Sequence, residues 1–374
     1  AVQPINTCYA YMPQPNEQLR LQYAADKSHH LPNGRFQNPW PSFTNPPFTK
    51  FIKHMFTEYN SNPGWESIKQ GRAPPVVPLD NSQIAAPSDV QLTWLGHASL
   101  LVQINGANVL FDPVFSARCS PVQWMGPKRY TRAPCTVSEL PHIDVLVLSH
   151  NHYDHLDWNT LKQVHARFPD IKVLAPLGNR PILSSLGFKN IVIADWWDET
   201  SVELPTGRFT FACTPAQHMT ARGVFDRMAT LWSSWVIIGP TRRFFFSGDT
   251  AYSALYNNKD HDECPAFKQI GDVYGPMDLS AIAIGAYGPE SLFGGMHANP
   301  EQAVRIHEDV QSRKSVGVHW GTFVLTSEAV DEPPERLARE MAARGHPSDE
   351  FMVLDIGQTT QGLLDTRSTD RVGI

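Results

Sequence analysis

His150-Asn-His152-Tyr-Asp154-His155 places four side chains of metal-binding type within six residues. Imidazole and carboxylate together make the borderline donor set that Zn²⁺ prefers. The spacing divides between two ions: His150 and His152 serve one, and Asp154 with His155 serves the other. Two such ions a few Å apart activate water for hydrolysis. The preceding run Ile143-Asp-Val-Leu-Val-Leu-Ser149 is apolar and β-branched, so a buried strand is expected there. A tight loop leaving such a strand can aim alternate side chains at one point.

Three more candidates lie downstream, each just past an expected strand. His218 follows Phe209–Cys213, Asp249 follows the run of phenylalanines 244–246, and His319 ends Val-Gly-Val-His. Active sites of layered α/β proteins gather at strand termini, where loops converge. A lone histidine at a strand end is ordinarily a hydrogen-bonded rim or core residue. The 150–155 cluster is what turns His218 and His319 into expected ligands. Asp249 is read as the bridging carboxylate, because a bridging group must approach both ions and Gly248 lets the backbone turn sharply. The expected arrangement has His150, His152 and His218 around one zinc. Asp154, His155 and His319 surround the other, with Asp249 and a hydroxide between the two. Zinc lowers the pKa of bound water to about 7, so hydroxide exists at neutral pH. Asp154 or Asp249 then holds or relays its proton. His97 is read as orienting a ligand or buttressing the loops, and His297 as facing the substrate; a purely structural role competes for each. Lys128, Arg129 and Arg132 form a short basic run, either a solvated loop or a docking patch for anionic head groups.

The elements that must carry these residues begin at Val90. Strands are expected at Val90–Leu95, Ser99–Ile104, Val109–Phe111, Ile143–Ser149, Lys172–Ala175, Ile191–Ala194, Phe209–Cys213, Ser234–Ile238, Arg243–Phe246, Ala281–Ile284, Ser315–Val318 and Phe351–Leu354. Helices are expected near Trp158–Arg167, Pro300–Val310 and Glu335–Arg344. Strands in two batches with helices between them predict a four-layer αββα sandwich over residues 90–374. Residues 1–89 differ. They are rich in Pro, Asn and Gln, and Leu31–Pro47 is expected to be extended and irregular. Phe36, Trp40, Phe43 and Phe48 favour an extension that wraps the core, since disordered tails are poor in aromatics. One amphipathic helix is expected there, with Phe48, Phe51, Ile52, Met55, Phe56 and Tyr59 on one stripe, packed on the core or lying on a membrane surface.

Composition sets the outer limits. The 374 residues are 41% hydrophobic and 18% charged, the proportions of an ordinary globular protein. A net charge of −6 gives no global attraction to nucleic acid or anionic lipid. No apolar run of bilayer-spanning length occurs, so no transmembrane segment is expected, and no signal peptide is visible. Cys8, Cys119, Cys135, Cys213 and Cys264 are scattered and odd in number, which fits reduced thiols and an intracellular, cytoplasmic setting.

The metal motif resembles that of the metallo-β-lactamase fold superfamily. More specific stretches are similar to the family of N-acylphosphatidylethanolamine-hydrolysing phospholipases D. They include Gly34-Arg-Phe-Gln-Asn-Pro-Trp-Pro41, Trp94-Leu-Gly-His-Ala98, Met125-Gly-Pro-Lys-Arg129, Ser138-Glu-Leu-Pro141, Ile284-Gly-Ala-Tyr287 and His319-Trp-Gly-Thr-Phe323. The similarity runs from about Gly34 to Gly357. It implies the metallo-β-lactamase fold, two zinc ions per chain, and peripheral association with a membrane. It implies cleavage of a phospholipid's phosphodiester on the head-group side, releasing N-acylethanolamine and leaving phosphatidic acid. It also implies Tyr153 and His297 lining the site beneath a lipid-admitting cavity, and a homodimer. The competing expectation is a dizinc lactonase or an acyl or ester hydrolase on the same fold, because fold does not fix the reaction.

Overall fold

The computed structural model describes residues 13–43, 49, 62–223, 225–253 and 263–360. Two sheets lie face to face. The first runs β1 (Val90–Trp94), β2 (Leu100–Ile104), β3 (Ala107–Phe111), β4 (Val145–Val147), β5 (Lys172–Pro176) and β6 (Ile191–Ala194), in that order. The second starts at an edge with β7 (Glu199–Leu204) and continues through β8 (Gly207–Thr214), β9 (Ser234–Ile238), β10 (Arg243–Phe246), β11 (Leu279–Ala283) and β12 (Ser315–Val318) to β13 (Phe351–Met352).

Strand periodicity explains the layers. Leu100, Val102, Val109, Phe111, Val145 and Val147 point into the core between the sheets. The alternate residues Leu101, Leu110, Leu146 and Leu148 enter a second core beneath the helix Trp158–Arg167, which contributes Leu161 and Val164. Phe111 reaches across, its ring 5.6 Å from that of Phe244 and 4.9 Å from that of Phe246. Both faces of the first sheet are thus covered, which is why its strands are near-continuous apolar runs. The helices Ala266–Tyr274, Pro300–Asp309 and Glu332–Arg344 cover the second sheet. The result is the expected αββα sandwich.

Directions decide where the chemistry sits. β2 is antiparallel to both β1 and β3, and β3 is parallel to β4, so β1, β3 and β4 end on the same rim. β9 is antiparallel to both β8 and β10, and β10, β11 and β12 are parallel, so β8, β10 and β12 end together as well.

Beyond Val90, β7, the helices Arg180–Ser185, Ala266–Tyr274 and Glu290–Phe293 and the 3-10 turn Val137–Glu139 were not expected. β7 is a half-exposed edge strand, and the helix Ala266–Tyr274 carries a glycine in its middle. A Cβ on Gly271 would collide with the backbone carbonyl of Asp309, so the glycine permits the close approach to the helix Pro300–Asp309. The N-terminal stretch also holds more helix than the single one expected. Glu17–Ala25, Pro63–Lys69 and Asn81–Ala85 are each capped by a side-chain oxygen, from Asn16, Asn62 and Asp80. The helix expected at 48–59 lies outside the described residues apart from Thr49. Residues 31–43 contain no helix and run along the second sheet's side of the molecule. No helix among the described residues is long and apolar enough to cross a membrane.

Candidate metal centre

Six strand ends deliver the site. His97 follows β1, Asp112 follows β3, Ser149 and His150 follow β4, His218 follows β8, Asp249 follows β10, and His319 follows β12. His97 and His319 sit at positive φ, 51° and 63°, so each side chain leaves its strand at an angle that extended backbone would not give. Gly248 (φ 56°) makes the turn before Asp249; a Cβ there would stand 2.7 Å from the Ser233 carbonyl oxygen and 2.8 Å from the Ser149 Cβ.

Three imidazole nitrogens converge first. His150 Nε2 lies 2.9 Å from His152 Nδ1, and His218 Nε2 lies 3.2 Å from the same atom. Asp249 Oδ2 stands 3.7 Å from His150 Nε2 and 3.6 Å from His218 Nε2. The opposite ring nitrogens explain the orientation. His218 Nδ1 donates to the Met296 carbonyl at 2.9 Å. His150 Nδ1 lies 2.9 Å from Ser149 Oγ, which itself donates to Asp112. With those protons directed outward, the lone pairs of Nε2 face inward.

A second set lies against the first. His155 Nε2 and His319 Nε2 are 3.1 and 3.0 Å from Asp249 Oδ1, and each is 3.5 Å from Asp154 Oδ2. His155 Nδ1 donates to Asp112 Oδ2 at 2.7 Å, and His97 Nε2 donates to Asp154 Oδ2 at 2.8 Å. Asp249 therefore turns one oxygen to each set. Donors held about 2.1 Å from one tetrahedral ion stand about 3.4 Å apart, and the spacings in both sets bracket that value.

The electrostatics fit cations at both positions. Burial lowers the imidazoles of His150, His152 and His218, His152 to about 4 and His218 to about 3. Three neutral imidazoles with ring nitrogens this close can turn their lone pairs toward a shared cation. In the second set burial alone would lower His155 and His319, but Asp249, Asp154 and the hydrogen bonds to carboxylates together outweigh it and raise both, His319 to about 9. Burial would raise Asp154 and Asp249; His155 and His319, joined at Asp154 by His97, together outweigh it and hold both well below the usual carboxylate range. His155 Nε2, His319 Nε2 and Asp249 Oδ1 are buried without a hydrogen-bond partner despite their proximity. Orphaned buried polar atoms are costly, and a metal ion between them would satisfy all three. The residues thus fit a metal pair.

The remaining expected residues divide. His297 stands over the site, its Nδ1 3.9 Å from Asp249 Oδ2 and its ring stacked on His319 at 5.3 Å. Burial holds it well below the usual imidazole range. Tyr153 lies beside the centre, its hydroxyl donating to the Arg222 carbonyl at 3.0 Å and its ring beneath the Arg222 guanidinium at 3.8 Å. Lys128 and Arg132 are exposed. Arg129 is not on the surface patch expected of it. A backbone bridge to Phe323 turns its side chain inward, where Nη1 donates to the Phe115 carbonyl at 3.3 Å and burial lowers its pKa to about 10. Sequence reasoning gave no role to Asp112. Its carboxylate accepts from the Ser149 amide at 2.8 Å, from Ser149 Oγ and from His155, and so orients both donor sets. Its signal was an Asp-Pro step at a strand end, readable only once β3 is paired with β4.

Comparison with known proteins agrees with this geometry. The β-lactamase superfamily domain is matched over residues 107–320. An N-acyl-phosphatidylethanolamine-hydrolyzing phospholipase D from Caenorhabditis elegans is 37% identical over 340 residues, covering 87% of this chain and 92% of that one. The mitochondrial protein of the same description from Saccharomyces cerevisiae is 33% identical, covering 71% of this chain and 55% of its own. An isothiocyanate hydrolase from Delia radicum gut bacteria shares the fold at a TM-score of 0.55 and 18% identity, over 72% of this chain and 98% of that one. Fold and matched domain define a metal-dependent hydrolase of metallo-β-lactamase architecture. Within that class, the chain belongs to the N-acylphosphatidylethanolamine-hydrolysing phospholipase D family.

Proposed function

We propose that this chain hydrolyses the phosphodiester of N-acylphosphatidylethanolamine, releasing N-acylethanolamine and phosphatidic acid, with two zinc ions. The observation that carries this reading is the split of Asp249, Oδ1 toward one donor set and Oδ2 toward the other. His150, His152, His218 and Asp249 would hold one ion; Asp154, His155, His319 and the other oxygen of Asp249 would hold the second. Such a pair supplies Lewis-acid charge beside the phosphoryl oxygens and makes water a nucleophile near pH 7.

The chain's own residues do the rest. Asp154 is fixed by His97 and keeps 14% side-chain exposure, whereas Asp249 keeps 1%. Asp154, a ligand like Asp249 but the more exposed of the two, is therefore the carboxylate placed to accept a hydrogen bond from the attacking water. His297, a neutral imidazole at the mouth, donates a hydrogen bond to a phosphoryl oxygen. Tyr153, pinned by Arg222, forms a wall of the entrance.

The rim supports a lipid substrate. Trp124 is 76% exposed, Phe225 88% and Met125 57%, and Lys128 and Arg132 are exposed nearby in sequence. The loop 118–128 leaves from Cys119, in the cluster against which Tyr153 packs, and the loop bearing Phe225 leaves from Arg222. Apolar tips with cations around them suit peripheral contact with an anionic membrane. Combined Trp124→Ser and Phe225→Ser should cut co-sedimentation with vesicles containing anionic phospholipid; undiminished binding removes this face from the proposal. The family resemblance adds a homodimer, which sedimentation velocity tests.

The deciding experiment is lipid mass spectrometry after incubating zinc-loaded protein with mixed phospholipids. N-acylethanolamine and phosphatidic acid should appear with wild type and fall by about 10³-fold or more with Asp249→Asn. Free fatty acid in their place would make the chain an acyl hydrolase.

A further inference from the structure

The stretch Gly34–Pro41 offers no donor to the metal centre, yet it is laced to the segment that delivers His218. Asn38 brackets that residue's backbone. Its Nδ2 donates to the His218 carbonyl at 2.7 Å, and its Oδ1 accepts from the His218 amide at 3.2 Å. One residue earlier, Gln217 is held through its own side chain. Ser42 Oγ donates to Gln217 Oε1 at 2.5 Å, and Gln217 Nε2 donates to the carbonyls of Ser42 and Gly295, each at 3.2 Å. The next carbonyl along, that of Met296, receives the His218 Nδ1 proton.

The strap bearing Asn38 is itself well anchored. Lys27, His29 and His30 all bind the Asp195 carboxylate, at 2.7, 2.8 and 2.9 Å. Trp40 stacks on Trp196 at 5.4 Å. Arg35 donates to the carbonyls of Phe225 and Arg227, and the Phe36 amide donates to that of Met228 at 2.9 Å.

The other donors of the first set need no such help. His150 is oriented through Ser149 by Asp112, and His152 shares its short loop. His218 reaches them from 66 residues away, on an irregular segment beyond β8. The last pairing before it is the single bridge of Gln217 to Ala251; among the described residues the His218 amide and carbonyl are both satisfied by Asn38. Metal–ligand distances tolerate only about ±0.2 Å, so freedom of this backbone translates directly into loss of a ligand.

The structure assigns Asn38 as a positioning residue. It fixes the His218 main chain so that Nε2 completes the first donor set, and it touches neither metal nor substrate. This rests on the metal-pair reading above. It makes the N-terminal strap a working part of the centre rather than a covering.

The test uses the full chain, wild type and three variants: Asn38→Ala, Asn38→Asp and the neighbouring Gln37→Ala. Gln37 donates to the Ser28 carbonyl on the exposed side and does not contact His218. Bound zinc per chain is measured after dialysis, affinity by chelator competition, and the cobalt-substituted forms by visible spectrum. The expected result is two ions in wild type and Gln37→Ala. In Asn38→Ala one of the two weakens by about 10–100-fold, with an altered cobalt spectrum and a kcat restored by excess zinc. Asn38→Asp keeps the acceptor for the amide and loses the donor to the carbonyl, so it should fall between. If Asn38→Ala does not fold, Ser42→Ala, which removes only the hydroxyl on Gln217, carries the same measurement with a smaller loss. Two tightly bound ions and unchanged spectra in every variant overturn the assignment, as does equal loss in Gln37→Ala. A wild-type chain that binds no metal would instead sink the metal-pair reading beneath it.

Discussion

At the scale of single residues, the site depends on which ring nitrogen of each histidine is free. Asp112 sets this for His155 directly and for His150 through Ser149. It is fully buried, and burial raises its pKa against the opposing pull of His155. Asp112→Asn keeps the shape and removes the anion, so metal affinity should fall about 10–100-fold while the chain stays folded. Chelator competition would show it; unchanged affinity would mean that the histidines are oriented by packing alone. The seven donors were legible because four fall within six residues and the other three each follow an apolar run. Asp112 and Asn38 were not. A carboxylate or an amide acting through another residue's backbone leaves no local pattern, and its partners here lie 37 and 180 residues away.

At the scale of elements, legibility followed burial. Strands with both faces covered, such as β3 and β10, read directly from their apolar runs. β7 did not, because in Glu-Thr-Ser-Val-Glu-Leu only Val202 is buried. The helix Ala266–Tyr274 was masked by Gly271, a residue that helix propensity disfavours and close helix packing requires. The strap has its own pH dependence. Burial alone would raise the Asp195 carboxyl, but hydrogen bonds from His29, Lys27 and His30 hold it well below the usual carboxylate range. A depressed carboxylate contributes stability above its unfolded pKa of about 4 and loses it as pH falls below that. Strap docking should therefore hold at neutral pH and weaken in acid below about pH 4. Tryptophan fluorescence, reporting the Trp40–Trp196 stack, should follow this in wild type. Asp195→Asn should shift the signal at neutral pH and flatten the acid transition; a transition identical to wild type would place the sensitivity elsewhere.

At the scale of the whole molecule, metal and fold are linked. An ion that binds only the folded chain adds about 4 kcal/mol of stability when present at 1,000 times its Kd. EDTA should abolish hydrolysis and lower the melting temperature, and zinc should restore both. A melting curve indifferent to EDTA would argue that the folded chain holds no ion. The sandwich itself was legible from two batches of strands. Its N-terminal partner was expected only to wrap, because nothing in Gly34–Pro41 reveals that its amide reaches a ligand's backbone.

All six strands that deliver the site end on one rim, and this leaves the other rim chemically idle. There the hairpin at Asn105-Gly106 meets the turn at Pro205-Thr206, with Asn105 Nδ2 donating to Thr241 Oγ1 at 2.6 Å. Pro205 and Thr206 are exposed and remote from every group the reaction uses. That tip is a ready attachment point: a fluorescent or affinity module grafted between them should report on the enzyme, or immobilise it, with turnover intact.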